Sequence, residues 1–116
     1  MTTEINAITF VVRDMATAVA FYEVAGLPIV YGGPSSPFTS LQLGESNFIN
    51  LMTSEDPAPG FWGRVVIHVD DPDGLCAAFR RAGYEPLTEP ADAPWGERYF
   101  HIRDADDHEL SFARRL

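Results

Sequence analysis

Three side chains in the second half of the chain could take part in acid–base or metal chemistry: His68, His101 and Glu109. Imidazole titrates near neutral pH and also binds divalent metals, and a carboxylate can complete either kind of site. Two interpretations stay open, a displaced metal or acid–base site and hydrogen-bonded residues in the wall of a pocket. His108 lies in a predicted turn, and we expect it to be solvated. Glu109, beside that turn, is expected to be a solvated carboxylate at the rim of the site.

Arg64 is a further candidate, because a guanidinium on a central strand is costly unless it is paired. It could bind a carboxylate, phosphate or enolate oxygen of a ligand. It could equally form a salt bridge with Asp70, Glu109 or another acid. Asn50 and Ser111 could add hydrogen bonds to the same ligand.

Four aromatic side chains fall in or beside predicted loops: Phe38, Trp62, Trp95 and Tyr99. Small-molecule sites gain apolar area by stacking such rings on flat ligands. Trp62 could instead pack the joint between the two halves of the chain or a dimer interface, and packing is also open for Trp95. Arg98, next to Tyr99, is expected to be a surface or interface cation.

A repeat must position these residues. Residues 8–14, an apolar strand pattern ending in Asp14, return 57 residues later as 65–71, ending in Asp71. Each copy continues with a helical pattern that stops at a glycine, Gly26 or Gly83. Such self-similarity predicts a duplicated module. The half-modules are expected at about 5–53 and 62–115 of one domain covering 1–116, with 54–60 as the joint.

Hydrophobic periodicity and turn residues predict the elements of each half. The first half is expected to hold strands at 5–12, 27–31, 39–43 and 46–52 and a helix at 15–25 that Asp14 caps. The second half is expected to hold strands at 64–70, 85–89, 97–103 and 109–114 and a helix at 73–82. Each half is therefore βαβββ, and the fold class is α+β, with two modules forming a curved mixed sheet cleft and the helices outside.

Strand alternation assigns the two sides of each sheet, because successive side chains point to opposite faces. One alternation is rich in large apolar residues and should meet the helix: Ile8, Phe10, Val12, Ile49, Leu51, Val65, Ile67, Val69, Phe100, Ile102, Leu110 and Phe112. The opposite alternation should line the cleft. It carries Asn50, Arg64, His68, Tyr99, His101, Glu109 and Ser111, together with smaller or apolar residues.

Composition limits the class of partner. The net charge is −9 and 46% of residues are hydrophobic, which argues against nucleic acid and anionic membranes and is compatible with a small polar or cationic ligand. No apolar run approaches the ~20 residues of a membrane span, and the N-terminus lacks the features of a signal peptide. We expect a cytoplasmic protein with a buried, structural Cys76.

The repeat, the pattern from Val12 to Tyr22 and the segment 103–110 resemble the vicinal oxygen chelate superfamily. This superfamily contains glyoxalase I, fosfomycin-modifying enzymes, extradiol dioxygenases and bleomycin resistance proteins. In segment 103–110, Ala105 and Asp107 replace the proline and glycine of the family's Asp-Pro-Asp-Gly turn. Segment 94–100 is most similar to the Pro-Trp-Gly-aromatic segment of bleomycin-resistance-type members.

The resemblance implies four metal-ligand positions, which here hold Ala7, Asn50, Arg64 and Ser111. None is a histidine or a carboxylate, and arginine presents only N–H donors and a fixed positive charge. A divalent cation needs deprotonated N, O or S ligands. We therefore expect no metal and no other cofactor.

Three functions follow as expectations. The first is a metal-independent, bleomycin-resistance-like protein that sequesters a flat or cationic small molecule, for example an antibiotic, in an acidic, aromatic-lined cleft. The alternative is a lyase, isomerase or dioxygenase-like enzyme that uses His68, His101 and Glu109 at a non-standard site, or metal-free acid–base chemistry with Arg64 stabilising an oxyanion. The third is a regulatory or scaffold homodimer. The resemblance alone implies a homodimer.

Overall fold

Two βαβββ modules follow one another along the chain, and residues 1–56 and 60–116 are described by a computed structural model. They form two compact units. In the first unit the elements are β1 (Ala7–Val12), α1 (Met15–Val24), β2 (Ile29–Tyr31), β3 (Phe38–Leu43) and β4 (Asn47–Thr53). In the second they are β5 (Arg64–His68), α2 (Pro72–Arg81), β6 (Ala91–Asp92), β7 (Glu97–Arg103) and β8 (Glu109–Arg115).

The two sheets have one topology. Their strand orders are β1-β4-β3-β2 and β5-β8-β7-β6. In each sheet the outermost first strand pairs in parallel with the last strand of its module, and the remaining pairs are antiparallel. The α+β class and the duplicated βαβββ order are therefore confirmed.

The helix caps repeat as the sequence predicts. The carboxylate of Asp14 accepts a hydrogen bond from the backbone N–H of Thr17, and that of Asp71 accepts one from Gly74. Each satisfies an N–H group that has no partner within its helix. Gly26 and Gly83, just past the helix ends, both have positive φ, which favours glycine at this position.

Aromatic contacts fix which side of each sheet meets its helix. Phe10 of β1 stacks on Tyr22 of α1 with ring centroids 6.1 Å apart. In the second unit Phe79 of α2 lies 6.3 Å from Phe100 and 5.7 Å from Phe112. The apolar alternation therefore faces the helix, as expected, and the other alternation forms the open side of each sheet.

The predicted strand over 85–89 is wrong. The short strand β6 lies instead at Ala91–Asp92, inside a stretch expected to be a loop. Pro86 and Pro90 have no backbone N–H and cannot donate to a strand ladder. Between them, the N–H of Leu87 donates to the carbonyl of His101 at 2.8 Å.

Three further expectations concern the joint, the membrane and Cys76. Of the predicted joint at 54–60, residues 57–59 lie outside the described residues. Within the described residues, neither helix has both the length and the apolar character that crossing a bilayer requires. Cys76 is buried, as expected.

Candidate functional site

The open side of the second sheet brings together most of the polar residues singled out from the sequence. Its central strand β8 is buried on this side as well, because β5 and β7 flank it, and Ser111 is only 4% exposed. Ser111 pairs in register with Val66 on β5 and with His101 on β7. We call this side the charged face; its side chains are Arg64, Val66, His68, Glu97, Tyr99, His101, Arg103, Glu109, Ser111 and Ala113.

An ion pair joins Arg64 to Glu109, which are direct register partners on β5 and β8. Nε and Nη2 of Arg64 both contact Oε2 of Glu109. The Glu109 side chain is only 8% exposed and that of Arg64 is 39% exposed. The expectation of a solvated Glu109 is therefore wrong, because the guanidinium compensates the charge of a buried carboxylate. Of the alternatives for Arg64, the salt bridge with Glu109 is present.

A hydrogen-bonded chain of three side chains runs across the charged face. Nε2 of His68 lies 2.9 Å from Oε2 of Glu97, and the indole Nε1–H of Trp95 donates to Oε1 of Glu97 at 2.9 Å. These bonds lower the pKa of the Glu97 carboxyl below its usual range, that from His68 having the larger effect and that from Trp95 following. Glu97 therefore stays ionised and holds the imidazole in one orientation.

Aromatic rings continue from this chain along β7. Trp95 stacks on Tyr99 with centroids 5.8 Å apart and 29° between the ring planes. The ring of Tyr99 lies 5.0 Å from that of His101. Burial, and then the positive charge of Arg64, lower the pKa of His101. The neutral imidazole of His101 thus extends a row of rings that begins at the exposed Trp95.

Trp62 and His108 form a separate pair. The indole N–H of Trp62 donates to Nδ1 of His108 at 2.8 Å, and the rings meet edge to face. His108 is only 3% exposed, so the expectation of a solvated histidine is wrong. Its turn is closed by Asp104, whose carboxylate accepts from the backbone N–H groups of Asp106 and His108. That closure holds the imidazole inside rather than in solvent.

Asn50 and Phe38, the two remaining candidates, belong to the first unit. The side-chain oxygen of Asn50 accepts a hydrogen bond from the Ser40 hydroxyl at 2.7 Å, and its amide group donates to the Thr9 hydroxyl. Phe38 lies 6.4 Å from Tyr31. Asn50 thus hydrogen-bonds to two neighbouring side chains of its own sheet.

Glu97 of the charged face was not identified as a site residue from the sequence. Glu97 lies two residues before Tyr99 on the same strand, so strand alternation already places it on the cleft-facing side. Trp95 was singled out for stacking, but its hydrogen bond to Glu97 was not expected. The pairing of Glu97 with His68 bridges two strands that are separated by β8, and local sequence carries no signal for such a contact.

The metal positions implied by the family do not fit a divalent cation. Ala7 pairs in register with Phe48 and Arg64 with Glu109, while Asn50 and Ser111 each follow those partners by two residues, so the repeat alignment is consistent. Ala7 has no donor atom, the Asn50 amide is engaged, and Arg64 carries a positive charge that repels a metal ion. Across the described ranges, His68, His101 and Glu109 belong to no group of three or more potential ligands that could hold a metal ion.

Two cavities among the described residues are lined by residues that do not belong to the charged face. One, of about 390 Å³, is lined by the loop residues Gly32, Gly33, Pro34, Ser35 and Ser36. The other, of about 350 Å³, lies beside α2 and is lined by Asp73, Cys76, Ala77, Arg80, Arg81, Glu89 and Pro90. Neither includes a residue that the sequence marked for ligand binding.

Comparison with known proteins places these features in a family. The model of the Glyoxalase/Bleomycin resistance protein/Dioxygenase superfamily matches residues 4–112. A search of curated proteins gave no match.

Several solved structures share the fold. TioX from Micromonospora sp. ML1 is 22% identical over 98% of this chain and 100% of that chain, with a TM-score of 0.79. A member of the same superfamily from Sphaerobacter thermophilus is 20% identical over 97% of each chain, with a TM-score of 0.78. A lactoylglutathione lyase from Agrobacterium tumefaciens is 18% identical over 97% of this chain and 94% of that chain, with a TM-score of 0.78. At these identities the likeness concerns the fold alone.

Proposed function

Because the chain belongs to the glyoxalase/bleomycin resistance protein/dioxygenase superfamily, we propose that it is a small-molecule-binding protein that binds its ligand without a metal ion. The observation that carries this proposal is the Arg64–Glu109 ion pair, which occupies a position where metal-dependent members, by resemblance, hold a metal ligand. A guanidinium there supplies positive charge directly from the protein. Sequestration of an antibiotic is one biological role that such binding would serve.

The chemistry of the charged face selects the ligand class. Trp95, Tyr99 and His101 offer a row of three neighbouring rings for stacking. Arg64 is partly exposed and has five N–H donors. Glu109 engages Nε and Nη2, so donors remain for a second acceptor. The ligand we propose is therefore a flat aromatic molecule that carries a carboxylate or another acidic oxygen.

The enzyme alternative is favoured by one observation, the carboxylate-bound imidazole of His68. A superfamily lyase, isomerase or dioxygenase-like activity would need a group that moves a proton, and this pair is of the right type.

The test uses two flat probes that differ in charge, 2-naphthoate and its neutral counterpart 2-naphthamide. We expect 2-naphthoate to bind more tightly, and Arg64→Ala to weaken its binding by about 2 kcal/mol while leaving 2-naphthamide unchanged. Arg81→Ala, on the exposed side of α2, is the matched control and should alter neither affinity. Equal 2-naphthoate affinity in wild type and Arg64→Ala would remove Arg64 from the site.

Folding and metal content need separate controls. Arg64→Ala leaves the buried Glu109 without its cation, so Arg64→Lys, which keeps the charge but loses the planar fork, is measured beside it. Elemental analysis and titration with Zn²⁺, Ni²⁺, Mn²⁺ and Fe²⁺ test metal independence. Near-stoichiometric metal that is lost in His68→Ala or His101→Ala would overturn the proposal.

We also propose that the protein is a cytoplasmic homodimer, as the family resemblance implies. Light scattering of the purified protein tests the assembly, and a monomeric mass would contradict it.

A further inference from the structure

Resting on the proposed function, we propose that His68 is a general base that removes a proton from a flat ligand stacked on Trp95 and Tyr99, and that Glu97 is its positioning residue. The site would thus act on aromatic molecules with an acidic C–H or O–H group, as well as bind them. It uses no residue of the metal positions and does not require Arg64.

The hydrogen bond to Glu97 indicates which ring nitrogen of His68 carries the proton. Ionised Glu97 can only accept hydrogen bonds, so Nε2 of His68 donates to Oε2 and carries the ring proton. The other nitrogen, Nδ1, then holds a lone pair that can receive a proton. Within the part of the chain that the structure describes, no side chain or backbone group hydrogen-bonds to Nδ1 of His68. The His68 side chain is 48% exposed, so a ligand can approach it.

The carboxylate of Glu97 is held at both of its oxygens. Glu97 is 21% exposed, and the indole N–H of Trp95 holds its Oε1 while His68 holds its Oε2. With both oxygens engaged, the carboxylate cannot rotate without losing a bond. Trp95 in turn stacks on Tyr99, so the aromatic surface and the base are tied together by one residue. A ligand lying on this surface would therefore meet a base of fixed direction.

The proposed step is balanced within the protein and ligand. The ligand proton moves to Nδ1 of His68, and the electron pair of the broken C–H or O–H bond stays on the ligand. His68 becomes an imidazolium whose positive charge faces the Glu97 carboxylate. The orienting carboxylate thus stabilises the charge that develops on the base. Reprotonation of the ligand or product returns His68 to its neutral form.

A defined probe separates proton removal from binding. 5-Nitrobenzisoxazole is flat and aromatic and reacts in one base-dependent step. The base takes the C3 proton, the C–H electron pair completes the nitrile, and the N–O bond breaks to release 2-cyano-4-nitrophenolate. The reaction needs no oxidant, reductant or metal. Release of the coloured phenolate gives the rate, and quenching of tryptophan fluorescence gives binding on the same samples.

We expect wild type to accelerate the reaction over buffer, and His68→Gln to lower kcat/KM by about 100-fold, the usual contribution of a general base. Glu97→Gln should lower kcat by about tenfold and leave KM and probe binding unchanged, because it disturbs orientation rather than stacking. Glu89→Gln is the matched control: Glu89 is likewise an ion-paired glutamate, but it is more exposed and its partner is Arg80. It should retain the wild-type rate.

Three results would overturn the inference. Acceleration that persists in His68→Gln would assign the base elsewhere. Probe binding without acceleration would reduce the face to a binding surface, and the proposed function would stand. Absence of both would exclude this base, while the naphthoate experiment would still decide the proposed function. Circular dichroism of each variant confirms that lost rate is not lost structure.

Discussion

The open sides of the two sheets occupy equivalent places in two copies of one topology, yet they carry different side chains. By register, Ala7, Phe48 and Gln42 of the first sheet correspond to Arg64, Glu109 and Arg103 of the second. A further row of the first sheet, Val11, Met52 and Phe38, corresponds to His68, Ala113 and Tyr99. Neutral hydrogen bonds such as Ser40–Asn50 join the first face, while ion pairs join the second.

The helix-facing sides differ much less. Tyr22 and Phe79 stand 57 residues apart, and each is a fully buried aromatic ring at the centre of its helix–sheet contact. Asp14 and Asp71 cap the two helices in the same way. Packing therefore constrains one side of each sheet, and the opposite side is where the chemistry of the two copies could diverge.

The largest expected effect tests whether the two scaffolds are equivalent. Tyr22→Ala and Phe79→Ala should each lower the free energy of unfolding by about 3–5 kcal/mol, because each removes a ring from a closed core. Urea unfolding measures both. Tyr22→Leu and Phe79→Leu, which keep most of the apolar volume, provide milder variants if the alanine proteins do not fold. A marked difference between the two losses of unfolding free energy would mean that the two helix–sheet contacts are not equivalent.

A smaller effect is expected on the pH dependence of stability, through the hydrogen-bonded carboxylates of the second unit. The pKa values of Asp73, Glu89 and Glu97 are lowered by hydrogen bonds from Arg98, Arg80 and His68 respectively. Carboxylates with a lowered folded-state pKa stabilise the fold above their ordinary pKa, about 4, and lose that contribution as pH falls through the folded-state value. Stability should therefore fall with acidification below about pH 4.5.

Two variants, one in each unit, test the predicted loss of stability in acid. The triple variant Asp73→Asn, Glu89→Gln, Glu97→Gln should show a flatter dependence of stability on acid pH than wild type. Asp14→Asn removes the first unit's cap carboxylate, whose pKa is lowered by Thr17, and should flatten it less. Urea unfolding across the acid range measures all three proteins. An unchanged slope in the triple variant would mean that these ion pairs are too exposed to contribute.

The smallest expected effect concerns the turns before the last strands. Gly44 has φ 67° and Asp107 has φ 65°, a region that glycine enters without strain and aspartate enters at a cost. Asp107→Gly should raise the free energy of unfolding by about 0.5–1 kcal/mol, and Gly44→Ala should lower it by about 1 kcal/mol. A Cβ added at Gly44 meets no atom within 4 Å, so the loss would be conformational. Thermal unfolding of both variants measures the effects, and a stabilising Gly44→Ala would contradict this account.

How far the sequence predicts the molecule depends on the range of each interaction. Strand alternation and the repeated caps are local, and they predicted the βαβββ order of each half, both helices and the bounds of β7. The strand predicted over 85–89 was wrong because Pro86 and Pro90 lack the backbone N–H that a strand ladder needs.

The sequence predicted which residues belong to the site better than it predicted which of them contact one another. Arg64, His68 and His101 lie on the expected side of the second sheet, because face assignment needs only strand parity. Their partners depend on contacts between strands far apart in sequence. The Arg64–Glu109 salt bridge was therefore only one of several alternatives, and the Glu97–His68 bond was not expected. The burial of His108 likewise follows from Trp62, 46 residues away.

Ala113 is fully buried although it lies on the charged face, next in register to both His68 and Tyr99. The bond between His68 and Glu97 must cross its strand, and only a small side chain leaves room for that crossing. The size of the side chain at position 113 therefore decides whether the bond between residues 68 and 97 can form. Relatives with a large residue there should have lost the histidine at 68 or the glutamate at 97, so the three positions should vary together.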